Sequence, residues 1–488
     1  MQDRISFVLD DRIVSVDFSK YPELKPSTTV LNYLRSLPFH KGVKEGCAEG
    51  DCGACTVVIA EKSDDGSLTY KAVDSCLVFL PMIHGKQLIT VENLAVMQGR
   101  EKILHPVQQK MVETDGTQCG YCTPGIIMSL FALYKNHRNP GREVIDDALT
   151  GNLCRCTGYR PIIEAAVNAC SGDGQDHFSA KENEIIALLD TINPGKETLE
   201  LRSPEQLYLK PFTLEEGLKL RKQYTSAVII NGSTDIALRQ TKKKELLPVI
   251  LDLSGVSELK MIQVEQHTYE IGAGVSMEQL KDFSEGRFPV IHSMLKVFGS
   301  LQIRNLATIG GNIGSASPIG DILPILFSLG VCVKVKGTAS ERIIEIDKFI
   351  TGYRKTDLSA EELITAIILP VFESNVITRS YKISKRKDLD ISTVSGAFML
   401  KLKDGIVHEI RIAFGGMAEK TKFAAETMVF LSGKKWSRDQ VEEAMLILEK
   451  EFSPISDARA EKEFRSIAAR NLLLKFYLDT VSSQGGLI

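Results

Sequence analysis

Nine of the ten cysteines in this 488-residue chain crowd into its first 170 residues, and only Cys332 falls in the remainder. Clustered thiols serve either disulfides or metal and redox sites, and the compartment decides between them. The opening Met1-Gln-Asp-Arg-Ile-Ser carries charge where a secretory leader needs an apolar core. The longest apolar stretch, Ile322 to Val333, is interrupted by Pro324 and falls short of the roughly 20 residues that span a bilayer. A cytoplasmic protein with no membrane partner is the expectation, so the cysteines point to metal or redox chemistry. With a net charge of −3 and no polybasic block, nothing calls for nucleic acid.

The spacing within the first group is specific. Gly46-Cys-Ala-Glu-Gly-Asp-Cys-Gly-Ala-Cys55 leaves four residues between Cys47 and Cys52 and two between Cys52 and Cys55, and twenty more intervene before Cys76. This is the plant-type ferredoxin spacing for a 2Fe–2S cluster. Small residues let the loop turn three thiolates inward and aim backbone N–H groups at cluster sulfurs. The competing reading is a four-cysteine zinc site, which usually presents two C-x2-C-like pairs. A second group, Gln118-Cys-Gly-Tyr-Cys-Thr-Pro-Gly125 with Cys154-Arg-Cys-Thr-Gly-Tyr-Arg-Pro161, is more ambiguous. Alone it could bind zinc and staple a helical bundle. Both pairs fall at expected helix starts, where the positive end of the dipole favours thiolates.

The length predicts two to four domains. Ile5 to Leu9 and Ile13 to Phe18, joined by Asp10-Asp11-Arg12, read as a hairpin; Thr28 or Thr29 can cap a helix through Leu31, Leu34 and Leu37. With strands at Thr56 to Ala60 and Leu88 to Val91, this predicts a ferredoxin-like β-grasp unit. From Pro106 to Cys170, apolar residues recur at helix spacing, which predicts a small bundle. Ser171-Gly-Asp-Gly-Gln-Asp breaks the periodicity, and polar sequence to about Pro204 reads as a linker. Strands and helices then alternate, ending in amphipathic helices at Arg438 to Lys450 and Glu461 to Leu478.

The three cysteine motifs together resemble the iron–sulfur domains of the xanthine oxidase family of molybdenum hydroxylases. The resemblance implies two 2Fe–2S clusters, an outer one on Cys47, Cys52, Cys55 and Cys76 and an inner one on Cys119, Cys122, Cys154 and Cys156. Gln118 matches a position that hydrogen-bonds the pterin of the molybdenum cofactor. Cys170 and Cys332 match no ligand position and read as small buried hydrophobes.

Beyond the linker, Ile229-Ile-Asn-Gly-Ser-Thr-Asp-Ile236 is a strand followed by a hydroxyl-rich turn of the kind that offers N–H groups and the Ser233 and Thr234 hydroxyls to phosphate. It lacks G-x-G-x-x-G and is no Rossmann fingerprint. Arg304 to Asp321 reads as a long loop of glycines and hydroxyls whose smallness calls for a ligand. The two segments resemble the FAD domain of the same family, of the vanillyl-alcohol oxidase (VAO/PCMH) type. The match places Ile229, Ile230, Asn231, Gly232, Ser233, Thr234, Asp235 and Ile236, with Thr308, Gly311, Asn312 and Ser315, around the pyrophosphate. It puts Phe298 against the isoalloxazine ring and Asp321 at the adenine-side ribose, with Ile364 and Lys382 completing the pocket. Gly352-Tyr-Arg-Lys-Thr356 also matches, making Tyr353 and Arg354 candidates for NAD; the loop Lys385 to Ile391 departs from the animal enzymes there.

The expected chain is therefore a multidomain α+β protein. Its parts are a β-grasp 2Fe–2S domain (1–88), a helical 2Fe–2S domain (89–172), a linker (173–204), an FAD-binding domain (205–378) and a C-terminal α+β domain of the CO dehydrogenase flavoprotein type (379–488). No stretch resembles a molybdenum-cofactor domain, so the resemblance implies a separate large subunit carrying the catalytic site, in an α2β2 heterotetramer. It implies electron transfer from molybdenum through both clusters to FAD and NAD. The fusion of iron–sulfur and flavin parts in this order favours the purine-oxidising members, which hydroxylate hypoxanthine and xanthine to urate. Aldehyde, carbon monoxide and nicotinate-type dehydrogenases are the alternatives within the family; a zinc-stapled interaction protein is the alternative outside it.

Overall fold

The structure is a computed structural model describing residues 3–483 except Pro22, Asp64, Asp173, Asn193 and Pro194. The chain divides into two compact units, residues 1–257 with 299–307, and residues 258–298 with 308–488. It is multidomain α+β throughout. Among the described residues no helix is long and apolar enough to cross a membrane.

The first unit opens with the expected β-grasp. Its five-stranded sheet runs in the order Arg12–Val16, Ile5–Leu9, Gln87–Ile89, Thr56–Lys62 and Leu68–Asp74. The hairpin register pairs Ile5 with Val16 and Leu9 with Arg12, and Val8 pairs with Gln87 in parallel. Of the two threonines, Thr29 is the cap: its hydroxyl accepts from Asn32 N–H and starts the helix Val30–Ser36, which buries Leu31 and Leu34.

The helical module follows as Pro106–Glu113, Thr123–Asn136, Arg142–Leu149 and Arg160–Cys170. Three of these carry proline in the first turn, where its fixed φ suits a helix and its missing N–H costs nothing. Cys122 is the cap of its helix, as expected, whereas Cys154 and Cys156 lie in the turn leading to Tyr159, the cap of theirs.

The polar stretch read as a linker folds into helices His177–Ala180 and Glu182–Asp190. Asp176 caps the first of them and is fully buried. It accepts from His105 Nε2 at 3.0 Å and Lys135 Nζ at 2.9 Å, which ties the segment onto the helical module. A four-stranded sheet, ordered Val228–Ile230, Val249–Asp252, Leu207–Lys210 and Leu199–Arg202, completes the unit together with the inserted residues 299–307.

In the second unit, a five-stranded sheet orders Ile262–Val264, Thr268–Gly272, Leu363–Pro370, Cys332–Lys336 and Glu341–Glu345. A four-stranded sheet built on Val376–Ile383, Val394–Lys403 and Ile406–Gly415 packs with helices Arg438–Glu451 and Lys462–Ser483, whose apolar residues join Phe398 and Phe414 in one core.

Candidate redox sites

The first cysteine loop is shaped by backbone rather than by bulk. Gly53 has φ +66°, and a Cβ there would sit 2.3 Å from the carbonyl of Gly151, so only glycine lets this loop approach the second one. The N–H groups of Glu49 and Asp51 donate to Cys47 Sγ at 3.4 and 3.3 Å. The Cys47 thiol is thereby drawn down to about 5, chiefly by hydrogen bonding with Cys52 and then by those amides, against the effect of burial. Its partner Cys52 is pushed up by the same contact. Cys55 and Cys76 are 2% and 1% exposed and form a second pair, in which Cys76 and burial push the Cys55 thiol up. Asp74 lies against the second pair. Its carboxyl lies 3.6 Å from Cys55 Sγ, and burial, with the Cys47 charge behind it, pushes it up to about 7.

The second group pairs as well. Burial and Cys154 push the Cys122 thiol up to about 12, while Cys119 pushes up that of Cys156. Cys154 accepts or donates at 3.2 Å with Thr157 Oγ1, and its own N–H donates to Tyr159 Oη at 2.7 Å. Cys119 and Cys156 are exposed, as is the neighbouring Gln118.

Among the described residues no group of three or more cysteines, histidines or carboxylates is disposed to hold a single metal ion. Two thiol pairs per site are instead what a 2Fe–2S cluster asks for, since four cysteines serve two irons. The paired thiols of each group fit such clusters. Cys170 is buried, as expected of a small hydrophobe, whereas Cys332 is only half-buried.

The two cysteine loops are joined directly. Leu153 N–H, one residue before Cys154, donates to the carbonyl of Cys52 at 3.0 Å. Asn152 donates to the carbonyl of Gly53 at 3.1 Å and to Thr56 Oγ1 at 3.2 Å, while its own Oδ1 accepts from Ser129 and Gln302. Gln302 and Arg304, both fully buried, come from the inserted segment; Arg304 pairs with both oxygens of Asp147 at 2.8 and 2.7 Å. Sequence reasoning missed Asn152, Gln302 and Arg304 because their partners lie far away along the chain.

The expected flavin residues fall in both units. In the first, Ile229 and Ile230 end the strand Val228–Ile230, and Asn231 to Ile236 form the turn. Gly232 is required there, since a Cβ would overlap the carbonyl of Leu306 at 1.6 Å. Ser233 is buried and left-handed, and its hydroxyl donates to the carbonyl of Leu77 instead of facing outward. The stretch Arg304 to Asp321, expected to be one long loop, begins at the last residue of the helix Leu301–Arg304 in the first unit and in the second contains the helix Ile309–Ser315. Thr308 caps the latter by accepting from Gly311 N–H at 3.2 Å, which a glycine-rich composition conceals. Asn312 Oδ1 is buried with no hydrogen-bond partner among the described residues. Ile364 lies beneath this helix, its Cδ1 3.5 Å from where Gly314 would carry a Cβ. Lys382 Nζ pairs with Asp321 at 2.7 Å and donates to the carbonyl of Val297 at 3.2 Å, beside half-buried Phe298; Ser392 takes the other Asp321 oxygen. Tyr353 and Arg354 are exposed at the turn between the strands Ile350–Gly352 and Lys355–Thr356.

Comparison with known proteins places these features in a wider group. A family profile for a [2Fe-2S] binding domain matches residues 90–167, one for the FAD binding domain in molybdopterin dehydrogenase matches 200–372, and one for the CO dehydrogenase flavoprotein C-terminal domain matches 379–480. Xanthine dehydrogenase/oxidase of Gallus gallus is 31% identical over 97% of this chain and 40% of its own length. Xanthine dehydrogenase of Emericella nidulans is 31% identical over 98% and 39%, and aldehyde oxidase 2 of Mus musculus 29% over 97% and 39%. The chain thus spans about two-fifths of the length of the relatives it matches. Among solved structures, carbon monoxide dehydrogenase from Hydrogenophaga pseudoflava has a TM-score of 0.54 at 23% identity over 56% of this chain and 96% of that one. Quinoline 2-oxidoreductase from Pseudomonas putida 86 has a TM-score of 0.52 at 23% identity over 57% and 97%. These structural likenesses establish a shared fold.

Proposed function

We propose that the chain is the iron–sulfur and flavin electron-transfer subunit of a xanthine dehydrogenase of the molybdenum hydroxylase family, a reading supported by the matched domain families and by similarity to xanthine dehydrogenases. In this reading Cys47, Cys52, Cys55 and Cys76 hold the outer 2Fe–2S cluster and Cys119, Cys122, Cys154 and Cys156 the inner one. The residues it assigns to FAD are those of the turn Ile229 to Ile236 and those of Thr308 to Ser315. When bound, the clusters carry single electrons and the flavin exchanges one-electron for two-electron steps. The chain's own residues fix these groups in sequence and tune them. The observation that carries the reading is the hydrogen bond from Leu153 N–H to the Cys52 carbonyl, which joins the two cysteine sets inside one packed unit.

A partner follows from exposure. Cys55 and Cys76 are sealed inside the protein, whereas Cys119, Cys156 and Gln118 face outward, where a large subunit bearing the molybdenum cofactor would cover them and Gln118 would meet the pterin. The assembly proposed is a cytoplasmic α2β2 heterotetramer that hydroxylates hypoxanthine and xanthine to urate and delivers the electrons to NAD. Similarity to several xanthine dehydrogenases supports the substrate, and similarity to an aldehyde oxidase keeps aldehydes in the test.

Co-purification with the large subunit, followed by assay of hypoxanthine, xanthine and aldehydes, checks the substrate; turnover of aldehydes alone refutes a purine role. For the acceptor, Arg354→Ala is expected to raise the KM for NAD roughly ten- to a hundredfold, as loss of one charged hydrogen bond does, and to leave reduction of an artificial dye unchanged. Equal loss with both acceptors assigns the defect to FAD binding instead.

A further inference from the structure

The turn expected to cradle the flavin pyrophosphate runs straight into the helix Ala237–Thr241 and on to Lys242. Along this run the chain touches the outer cysteine site at both ends. At one end, the Ser233 hydroxyl donates to the carbonyl of Leu77, the residue after Cys76, with Met82 Sδ 3.4 Å away. At the other, Thr241 Oγ1 donates to the carbonyl of Ala48, the residue after Cys47, at 2.8 Å. Lys242 Nζ donates to the carbonyl of Cys47 itself at 3.1 Å and pairs with Glu49 at 3.2 Å. A cavity of about 50 Å³ beneath the run is lined by Ala48, Cys76, Gln240 and Thr241, so this segment forms part of the wall of the site.

Backbone conformation points the same way. Ser233 has φ +60° and Ala48 has φ +56°, left-handed values that residues with a Cβ adopt only where their surroundings hold them. Each of these positions is one end of a hydrogen bond in the set: Ser233 gives the donor to Leu77, and Ala48 gives the acceptor to Thr241. The buried Ser233 hydroxyl is thereby committed to the iron–sulfur side, and any phosphate at this turn is left to its backbone N–H groups, which a left-handed residue helps to gather into one concavity.

We propose that Ser233 and Thr241 are positioning residues that fasten the flavin-side segment to both ligand ends of the outer cluster, so that this segment sets the hydrogen bonding and charge around it. The inference rests on the assignment of Cys47, Cys52, Cys55 and Cys76 to a 2Fe–2S cluster given above. Donors to the carbonyls beside the ligands, with the Lys242 cation next to them, favour the more negative reduced state. Removing them therefore lowers the reduction potential of the outer cluster and leaves the inner one alone.

The test uses the full chain loaded with iron and flavin. Ser233→Gly removes the hydroxyl while keeping a residue at ease with positive φ, Thr241→Val removes a hydroxyl at constant shape, and Thr241→Ser retains one. In the first two, iron content and the inner paramagnetic signal are expected to match the wild type, and in Thr241→Val the FAD content as well. The outer signal is expected to change, with the ratio of reduced to oxidised outer cluster at a fixed poise falling about two- to tenfold per hydrogen bond lost. For a one-electron couple that is about 20–60 mV. Thr241→Ser is expected to restore the wild-type signal. Selective loss of the outer cluster in Thr241→Val, with the inner signal kept, would make the contact a structural one only and overturns the proposal. Should Ser233→Gly fail to load, Thr241→Val decides alone. An unchanged outer signal and potential, an equal shift of both clusters, or loss of both signals together overturns it. Failure of the underlying assignment looks different, because the wild type itself then lacks two iron–sulfur signals.

Discussion

The thiol of Cys119 lies at the surface while that of Cys55 is sealed; spacing nominated Cys55, and the family resemblance nominated Cys119. Ser233 was legible as a hydroxyl offered to phosphate, whereas the partner it takes, Leu77, is 156 residues away. Cys119→Ser is expected to abolish the inner paramagnetic signal and electron flow from substrate while NADH still reduces the flavin, and Cys332→Ser to leave both signals intact. Undiminished substrate turnover by the Cys119 variant would remove it from the ligand set. A second residue gives a pH dependence. His84 accepts from Ser6 N–H through Nδ1 at 3.0 Å, and burial, with the Lys210 charge beside it, pushes it down to about 4 from its ordinary 6.5. Between those two values the unfolded chain binds a proton that the folded one refuses, so stability falls as the pH drops from 6.5 towards 4. The loss from this group is about 3 kcal/mol. His84→Asn keeps an acceptor without titrating there, and denaturant unfolding across that range is expected to show a shallower slope; identical slopes would show that His84 does not set it.

Strands and helices with strong periodicity appear where the sequence pattern puts them, including Val228–Ile230 and the helices beginning near Arg438 and Lys462. Two elements were concealed, each for a physical reason. Residues 177–190 are polar enough to read as linker, but Phe178, Ile185 and Leu189 pack into the core of the helical module and a buried ion cluster at Asp176 pins the start of the segment. Residues 309–315 are too rich in glycine to read as helix, yet a Thr308 cap and close packing of Gly310 against Ala273 make them one. The Asp176 cluster supplies a prediction at this scale. His105 and Lys135 hold the carboxylate well down in pKa against the opposing effect of burial. Asp176→Asn leaves the buried Lys135 without its counter-charge, which costs about 3–5 kcal/mol. Amide hydrogen exchange is expected to quicken over residues 177–190 and the Pro106–Glu113 helix; protection equal to the wild type would mean that other contacts order the segment.

At the scale of the whole molecule, the order of iron–sulfur, flavin and C-terminal parts follows from motifs that are each local, and the matched families fall in the same order. What no local pattern carries is the excursion of residues 299–307, whose Gln302 and Arg304 side chains are buried among the iron–sulfur modules although the flanking sequence belongs to the other unit. Such long-range insertion is set by three-dimensional packing and leaves no periodic trace. The claim on which everything else rests is that this chain carries two 2Fe–2S clusters. Metal and acid-labile sulfide analysis of the purified chain, with paramagnetic resonance after reduction, tests it directly. The expected result is about four iron and four sulfide per chain with two distinct signals, because two sets of four cysteines each meet the ligand demand of one cluster. Stoichiometric zinc in a colourless protein would contradict it.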